Sequence, residues 1–473
     1  MPNHHPSSRA TLTALLAGCL VLTAVGPVPL GGPVRADAAE PTAPALASPS
    51  PSVAPTPTPG PAPTLDPTPA PTPAPTHAPA PAPTRTPAPA ATHAPAAVPA
   101  ADPTAPPPDP TPAPTPAPTD TPAPTATPTP TPAPTQKPSD TLRLVRLPVI
   151  RGNITPKSVV ATQTGLFFAQ NMMYRHTMTV YNRKGQLVKT ISDGVTLAGF
   201  GYPRWPAPVH GAPVEAAVAP DGKHIYVSQY SMYGPGFSHP GWDTGWVNDV
   251  IDRSFVYEIS TSTFRKTRVF RVGPVPKAVG VSPDGKWLLV GNWTHRDVSL
   301  VSLSLGREVK RIVVGGNPRG IAFAPDSSKV YLGAESGQRV LVYTFATGTL
   351  RTLIPLLPGE PRHLVIDAAG KYLYASLNKG GGVVKIDIAR KRVVDRVSTG
   401  TEPRTIVLAP DGRSLYVVNY VSQTLVKVRT RDMVILQRFK TAGVHPVGVT
   451  YDAKSRTVWV SCYRGTLERF ADR

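Results

Sequence analysis

Five positively charged side chains recur at one position of the sequence, directly after the proline that opens each of five repeated segments. They are Lys157, Lys277, Arg319, Arg362 and Arg404. Ammonium and guanidinium groups gathered around one opening bind carboxylate, phosphate or sulfate groups through charge-assisted hydrogen bonds. Their equal placement within the repeats predicts that they meet at one mouth of a closed structure, where we expect a site for an anionic ligand.

Polar and aromatic side chains in other loops are predicted to face the same mouth. In a four-stranded meander, the loop that leads into the first strand and the loop after the second strand lie at the same end of the sheet. Two long insertions, residues 196–212 and 230–249, also fall at this end, and aromatic insertions are typical of functional surfaces. Besides the five cations, the predicted ligand-facing residues are His363, Asn292, Trp293, Asn378, Asn419, Tyr420, Tyr233, Trp242 and Trp246.

No motif of an established catalytic type is present in the sequence. It contains no G-x-S-x-G elbow, no histidine pair at zinc spacing and no C-x-x-C sequence. We therefore assign no catalytic residue, metal ligand or cofactor, and we favour a binding protein over an enzyme. A lactonase-like hydrolase or a lyase acting at the mouth stays open as the alternative. The positions after the prolines are basic, whereas a metal-dependent lactonase would need carboxylates there.

Internal repeats supply the framework that would position these side chains. Seven units begin at Pro156, Pro213, Pro276, Pro318, Pro361, Pro403 and Pro446. A regular unit contains alternating apolar strands and a tight turn such as Pro410-Asp411-Gly412, so it predicts a four-stranded antiparallel meander. One such sheet cannot bury both of its faces, but seven sheets packed around an axis can. The sequence therefore predicts an all-β, seven-bladed β-propeller over residues 141–473.

The seventh unit ends after three strands, so its outer strand must come from another part of the chain. Residues 142–150 precede the first unit and alternate apolar with polar side chains. We expect this segment to pair beside residues 466–470 and to close the ring by joining the two ends of the domain. Pro148, near the end of the segment, is tolerable on the outer edge of a blade.

The repeats resemble those of the YVTN-type β-propellers of bacterial and archaeal surfaces. The signature combines Pro-Arg-x-aliphatic, Pro-Asp-Gly-Lys and Leu-Tyr-Val-x-Asn, and its last part is carried here by Leu415-Tyr416-Val417-Val418-Asn419. The resemblance covers residues 142–473 and implies the propeller fold. It also implies an exported binding protein or surface-layer protein without an assigned reaction.

The N-terminal part of the chain has a different composition. Residues 39–140 are dominated by proline, threonine and alanine, so we expect a disordered, extended stalk. Residues 1–38 predict an export signal, since Arg9 precedes an apolar run and Ala36-Asp37-Ala38 resembles a signal-peptidase site. Two alternatives stay open: residues 16–19 resemble a lipobox in which Cys19 would be lipidated, and the apolar run could persist as an uncleaved anchor.

Charge and export together narrow the expected partners. The formal net charge of +20 falls almost entirely on the repeats, which favours an anionic partner. We expect a monomeric protein, secreted or at the cell surface, that binds an anionic or glycan component of the cell envelope or a protein partner. Export argues against nucleic acid, and contact with a membrane is expected only through an N-terminal lipid or an uncleaved anchor.

Overall fold

The computed structural model of the protein describes residues 137–245 and 247–473. Within them the strands form seven sheets with antiparallel pairing, as the repeats predict, and the fold is an all-β, seven-bladed β-propeller. The predicted export signal, Cys19 and the stalk up to residue 136 lie outside the described residues. No helix among the described residues is both long enough and apolar enough to span a membrane.

The strands follow one another around the ring in chain order. Two short strands come first, β1 (Leu144–Arg146) and β2 (Ile150–Arg151). Blade 1 contains β3 (Pro156–Ala161), β4 (Leu166–Asn171), β5 (Thr177–Asn182) and β6 (Leu187–Ser192). Blade 2 contains β7 (Pro213–Val218), β8 (His224–Gln229), β9 (Phe255–Ser260) and β10 (Lys266–Arg271). Blade 3 contains β11 (Pro276–Val281), β12 (Trp287–Asn292), β13 (Asp297–Ser302) and β14 (Arg307–Val313).

The remaining blades repeat this arrangement. Blade 4 contains β15 (Pro318–Phe323), β16 (Lys329–Ala334), β17 (Arg339–Thr344) and β18 (Thr349–Ile354). Blade 5 contains β19 (Pro361–Ile366), β20 (Tyr372–Leu377), β21 (Gly382–Asp387) and β22 (Arg392–Ser398). Blade 6 contains β23 (Pro403–Leu408), β24 (Ser414–Asn419), β25 (Thr424–Arg429) and β26 (Val434–Lys440). Blade 7 contains β27 (Pro446–Asp452), β28 (Thr457–Cys462) and β29 (Thr466–Asp472). Single-turn 3₁₀ helices span Ser139–Thr141 and Leu197–Phe200.

Burial changes across each blade because the inner strands pack against neighbouring blades and the outermost strand faces solvent. All six residues of β24 are buried, whereas β22 alternates exposed and half-buried residues. The turn between the first two strands needs a positive φ, which Gly412 supplies at +68°. Ser327 takes the equivalent position in blade 4 with a φ of +60°.

Closure of the ring by an N-terminal strand is confirmed. Strand β1 pairs antiparallel with β29, with Leu144 opposite Asp472. Strand β2 pairs with the beginning of β29, with Ile150 opposite Leu467. Pro148 lies between β1 and β2 and interrupts the added strand, since proline has no backbone N–H to donate to the sheet.

A buried polar cluster, the closure clasp, fixes this junction. It consists of Lys427, Asp472, Tyr416 and the carbonyl groups of Ser139 and Leu142. The Lys427 ammonium is fully buried and donates to the carbonyls of Ser139 at 2.7 Å and Leu142 at 2.9 Å. It also lies 2.5 Å from Asp472, whose second oxygen accepts from the Tyr416 hydroxyl. The clasp therefore joins blades 6 and 7 to the segment that closes the ring.

Replacing Asp472 by alanine tests the clasp. The Lys427 charge would stay buried without its carboxylate, so we expect the free energy of unfolding to fall by about 3–5 kcal/mol. Asp432→Ala is the matched control, because it removes an exposed partner of Arg429 at 2.7 Å and should leave stability nearly unchanged. Urea unfolding followed by tryptophan fluorescence measures both variants. An equally small effect of the two substitutions would contradict a stabilising clasp.

Candidate functional site

The first strands of the seven blades surround the axis, each in contact with the next, and β27 contacts β3 to complete the circle. Every first strand begins with proline, and the residue after each proline lines one cavity of about 440 Å³ at one end of the channel. We call it the mouth cavity. These seven residues are Lys157, Val214, Lys277, Arg319, Arg362, Arg404 and Val447.

A second set of seven residues lines the same cavity, one from each blade. Each of them directly follows the second strand of its blade. They are Met172, Tyr230, Trp293, Glu335, Asn378, Tyr420 and Tyr463. In most blades, the backbone N–H of this residue donates to the carbonyl of the residue before the proline, as Asn378 does to Glu360 at 2.8 Å and Tyr420 to Glu402 at 2.8 Å. This repeated bond fixes both loops at the mouth.

The structure thus brings together the five predicted cations with Trp293, Asn378 and Tyr420. Their role in ligand binding stays a prediction. Asn292 and Asn419 do not reach the cavity, although the sequence analysis placed them there. Both are fully buried at the ends of second strands, where Asn292 donates to Asp297 at 2.7 Å and Asn419 donates to Thr424 at 3.0 Å. The asparagine of the repeat therefore holds the following hairpin together.

Carboxylates pair with four of the five cations, so the mouth is not the purely basic surface that the sequence analysis expected. The pairs are Lys277–Asp243 at 2.8 Å, Arg319–Glu215 at 2.7 Å, Arg362–Glu335 at 3.2 Å and Arg404–Glu402 at 2.5 Å. Three of these carboxylates come from other blades or from an insertion. Sequence spacing did not reveal them, because they stand at different positions of their repeats.

The second insertion is anchored at the mouth through Asp243. Its carboxylate accepts from the Tyr230 hydroxyl at 2.6 Å and contacts Lys277, whose ammonium lies 3.7 Å from the Trp293 ring centroid. The Asp243 carbonyl also accepts from the Trp293 indole N–H at 2.8 Å. Burial and the nearby Arg319 lower the pKa of Lys277 to about 8, while Asp243 opposes that change. Burial opposes ionisation of Asp243, yet Lys277 holds the pKa of this carboxyl well below its usual range.

Other residues of the insertions have different roles. Tyr233 packs edge-on against His176 with ring centroids 5.8 Å apart, and Trp242 is exposed; neither lines the cavity. Trp246 lies outside the described residues. The first insertion contributes to the core, since Trp205 is buried and stacks on Phe237 with ring centroids 5.3 Å apart. Its aromatic residues therefore stabilise the contact between blades 1 and 2.

Lys157 differs from the other cations of the mouth. Within the described residues it has no hydrogen bond and no ion pair. Burial and the positive charges of Arg319 and Arg362 lower the pKa of Lys157 well below its usual range, and the charge of Glu215 only partly opposes them. The ammonium form of Lys157 is therefore less stable than that of a lysine in water.

His363 lies in a small chamber that adjoins the mouth cavity. The chamber is lined by Glu215, Arg319, Arg362, His363, Arg404, Thr405 and Val447. Burial lowers the pKa of His363 to about 4, although Glu215 opposes this change, so the imidazole is neutral at pH 7. Its Nδ1 has no hydrogen-bond partner in the described protein. Across residues 137–245 and 247–473, no group of three or more His, Cys, Asp or Glu side chains is arranged to hold a metal ion.

Comparisons with known proteins agree with the fold. A family model described as "Lactonase, 7-bladed beta-propeller" matches residues 302–434, which include Arg319, Arg362 and Arg404. The chain is 27% identical over 225 residues to hydrazine synthase subunit beta of Kuenenia stuttgartiensis, covering 36% of this chain and 58% of that protein. It is 26% identical over 227 residues to antigen Lp49 of Leptospira interrogans, covering 44% and 49%. The chain thus spans about half the length of these curated relatives.

The protonation of His363 provides a test of the chamber. We expect His363 to stay neutral down to about pH 4, whereas a hydrogen bond to Asp193 raises the pKa of His176. The unfolded chain would protonate His363 near pH 6.5, so this residue lowers stability as the pH falls from about 6.5 to about 4. NMR titration of labelled histidines measures both groups, and His363→Gln assigns the signal. If the signal that disappears in His363→Gln is one that titrates near pH 6.5 in the wild type, His363 has an ordinary pKa, and this result would contradict its burial in the chamber.

Proposed function

We propose that the protein is an exported binding protein whose mouth cavity holds a carboxylated carbohydrate, or a similar polyhydroxylated anion, of the cell envelope. The observation that carries this proposal is a mixture of buried hydrogen-bond donors and acceptors without protein partners, on side chains that line the mouth cavity and the adjoining chamber. The donors are the Nε groups of Arg319 and Arg404, and the acceptors are Glu335 Oε2 and Asn378 Oδ1. A sugar hydroxyl both donates and accepts, so one polyhydroxylated ligand satisfies both kinds of group.

The charged side chains of the mouth are held in place before any ligand arrives. The Lys277 ammonium lies over Trp293, and the Arg404 guanidinium lies 4.4 Å from the centroid of the Tyr420 ring. Tyr420 also stacks on His445 with ring centroids 4.3 Å apart. Groups fixed by cation–π contacts and ion pairs lose little conformational entropy when a ligand binds, and this favours affinity.

A negative charge on the ligand is supported by Lys157. The paired cations are already neutralised by carboxylates, and Lys157 has no such partner among the described residues. A ligand carboxylate beside Lys157 would favour the protonated amine and form a charge-assisted hydrogen bond with it. Binding of such a ligand would therefore be accompanied by the uptake of a proton from solvent by the Lys157 amine.

Export and display at the cell surface belong to the same proposal. They rest on the signal-like pattern of residues 1–38 and on the proline-rich composition of residues 39–140. The names of the relatives do not point to one function, since one is a subunit of hydrazine synthase and the other is an antigen. The chemistry of the mouth thus carries the proposal.

Isothermal titration with an oligogalacturonate, a neutral glucan oligosaccharide and inorganic phosphate tests the proposal. We expect the oligogalacturonate to bind most tightly and Arg362→Ala to weaken its binding by about tenfold or more, because charge-assisted hydrogen bonds would be lost. Arg390→Ala is the matched control, since this arginine pairs with Asp387 away from the mouth cavity. Phosphate binding as tight as that of the oligosaccharide would show a simple anion site. Unchanged affinity in Arg362→Ala would overturn the proposed site.

Hydrolysis of a lactone is the second candidate function, and the neutral imidazole beside the mouth is the observation that favours it. The chamber of about 10 Å³ has room for about one water molecule, which His363 could activate as a general base, and Arg319 lies in the same chamber to stabilise a developing negative charge. The family model that matches blades 4 to 6 is named for lactonase activity. If this candidate is correct, the protein hydrolyses gluconolactone above the spontaneous rate and His363→Gln abolishes the excess. An excess that persists in His363→Gln excludes the imidazole as the base.

A further inference from the structure

The Lys157 amine combines access to a cavity with the absence of a carboxylate partner. It stands on β3 directly after Pro156 and lines the mouth cavity. The other two lysines that line this cavity are engaged in ion pairs: Lys277 contacts Asp243 at 2.8 Å, and Lys379 contacts Glu360 at 2.7 Å. The mouth therefore presents one reactive nitrogen that is not committed to an ion pair among the described residues.

Burial and the charged groups around Lys157 disfavour its ammonium form. Positive charges come from Arg319, Arg362 and Arg404, while Glu215 supplies the opposing negative charge. Glu215 is itself bound to Arg319 at 2.7 Å, which weakens its influence on the amine. An amine that is desolvated beside other cations is a nucleophile near neutral pH, because its lone pair is free.

The geometry points to a covalent site: we propose that Lys157 forms an imine with a carbonyl compound that also carries a carboxylate, of the 2-oxo acid class. The arginines that disfavour the ammonium form would hold the carboxylate of such a compound, with its carbonyl carbon towards Lys157. Arg319 and Arg404 each retain an Nε–H without a protein partner for this purpose. The inference does not require a carbohydrate ligand, but it shares with the function proposed above the binding of a carboxylate by the arginines of the mouth.

The reaction balances without an oxidant, a reductant or a cofactor. The amine nitrogen attacks the carbonyl carbon, a C–N bond forms, and the electron pair of the C=O π bond moves to oxygen. Both N–H protons of the neutral amine pass to that oxygen, which leaves as water, and the nitrogen lone pair forms the C=N bond. Hydrolysis by water reverses these steps, so the imine is a reversible attachment.

Reductive trapping of the full chain tests this inference, with pyruvate as the probe. The protein is incubated with pyruvate and cyanoborohydride, which converts an imine to a stable carboxyethyl-lysine, and peptide mapping by mass spectrometry locates the product. We expect modification at Lys157 far ahead of any other lysine. We also expect its rate to level off at a lower pH than that of surface lysines, because its ammonium form loses a proton more readily.

Two variants complete the design. Lys157→Arg keeps a positive charge but cannot form the product, and it should abolish the dominant modification. Lys379→Arg changes an exposed, paired lysine at the rim of the same cavity and should leave the product at Lys157 unchanged. The peptide map of the wild-type protein measures the modification of Lys157 directly, so the inference can be tested even if the Lys157→Arg variant does not fold. An unmodified Lys157, or labelling spread over the lysines according to their exposure, would overturn the inference.

Discussion

The crowding of seven first strands around one axis is the constraint on which the structure depends. Each strand contacts its two neighbours, so the ring forms only if the last blade meets the first, and β1 completes blade 7 by pairing with β29. The clasp at Lys427 and Asp472 stabilises that junction inside the protein. The same crowding limits access to the axis, so the mouth is lined mainly by the residue after each proline and the residue after each second strand.

Crowding also explains the electrostatics of the mouth. Five cations in a partly desolvated ring repel one another, and their burial is costly unless carboxylates compensate. Carboxylates from separate elements neutralise these cations: Asp243 comes from an insertion and pairs with Lys277, and Glu215 of blade 2 pairs with Arg319. Lys157 is left outside this pairing among the described residues, and burial together with the charges of Arg319 and Arg362 lowers its pKa. The mouth thus combines four ion pairs with one amine that has no carboxylate partner among the described residues.

Some residues of the mouth could be predicted from the sequence, and others could not. Sequence reasoning identified Lys277, Arg319 and Arg362 as neighbours in space, because equal positions in repeats become equivalent positions around an axis. Asn419 and Tyr420 were both predicted to face the cavity, but only Tyr420 lines it: the strand ends at Asn419, whose amide donates to Thr424 of the next strand. Sequence reasoning also interpreted Trp205 as part of a binding loop, whereas the indole is buried in the core.

The sequence by itself determined the architecture, since strand alternation, which recurs in all seven units, and Asp-Gly turns, which occur in three of them, are local properties of the chain. It also determined which strand closes the ring, because a blade with three strands needs a fourth from elsewhere. Only the tertiary structure decided which charges neutralise one another and which group stays unpaired. Pairing across blades depends on distances through space between residues such as Glu215 and Arg319, and no periodicity in the sequence records those distances.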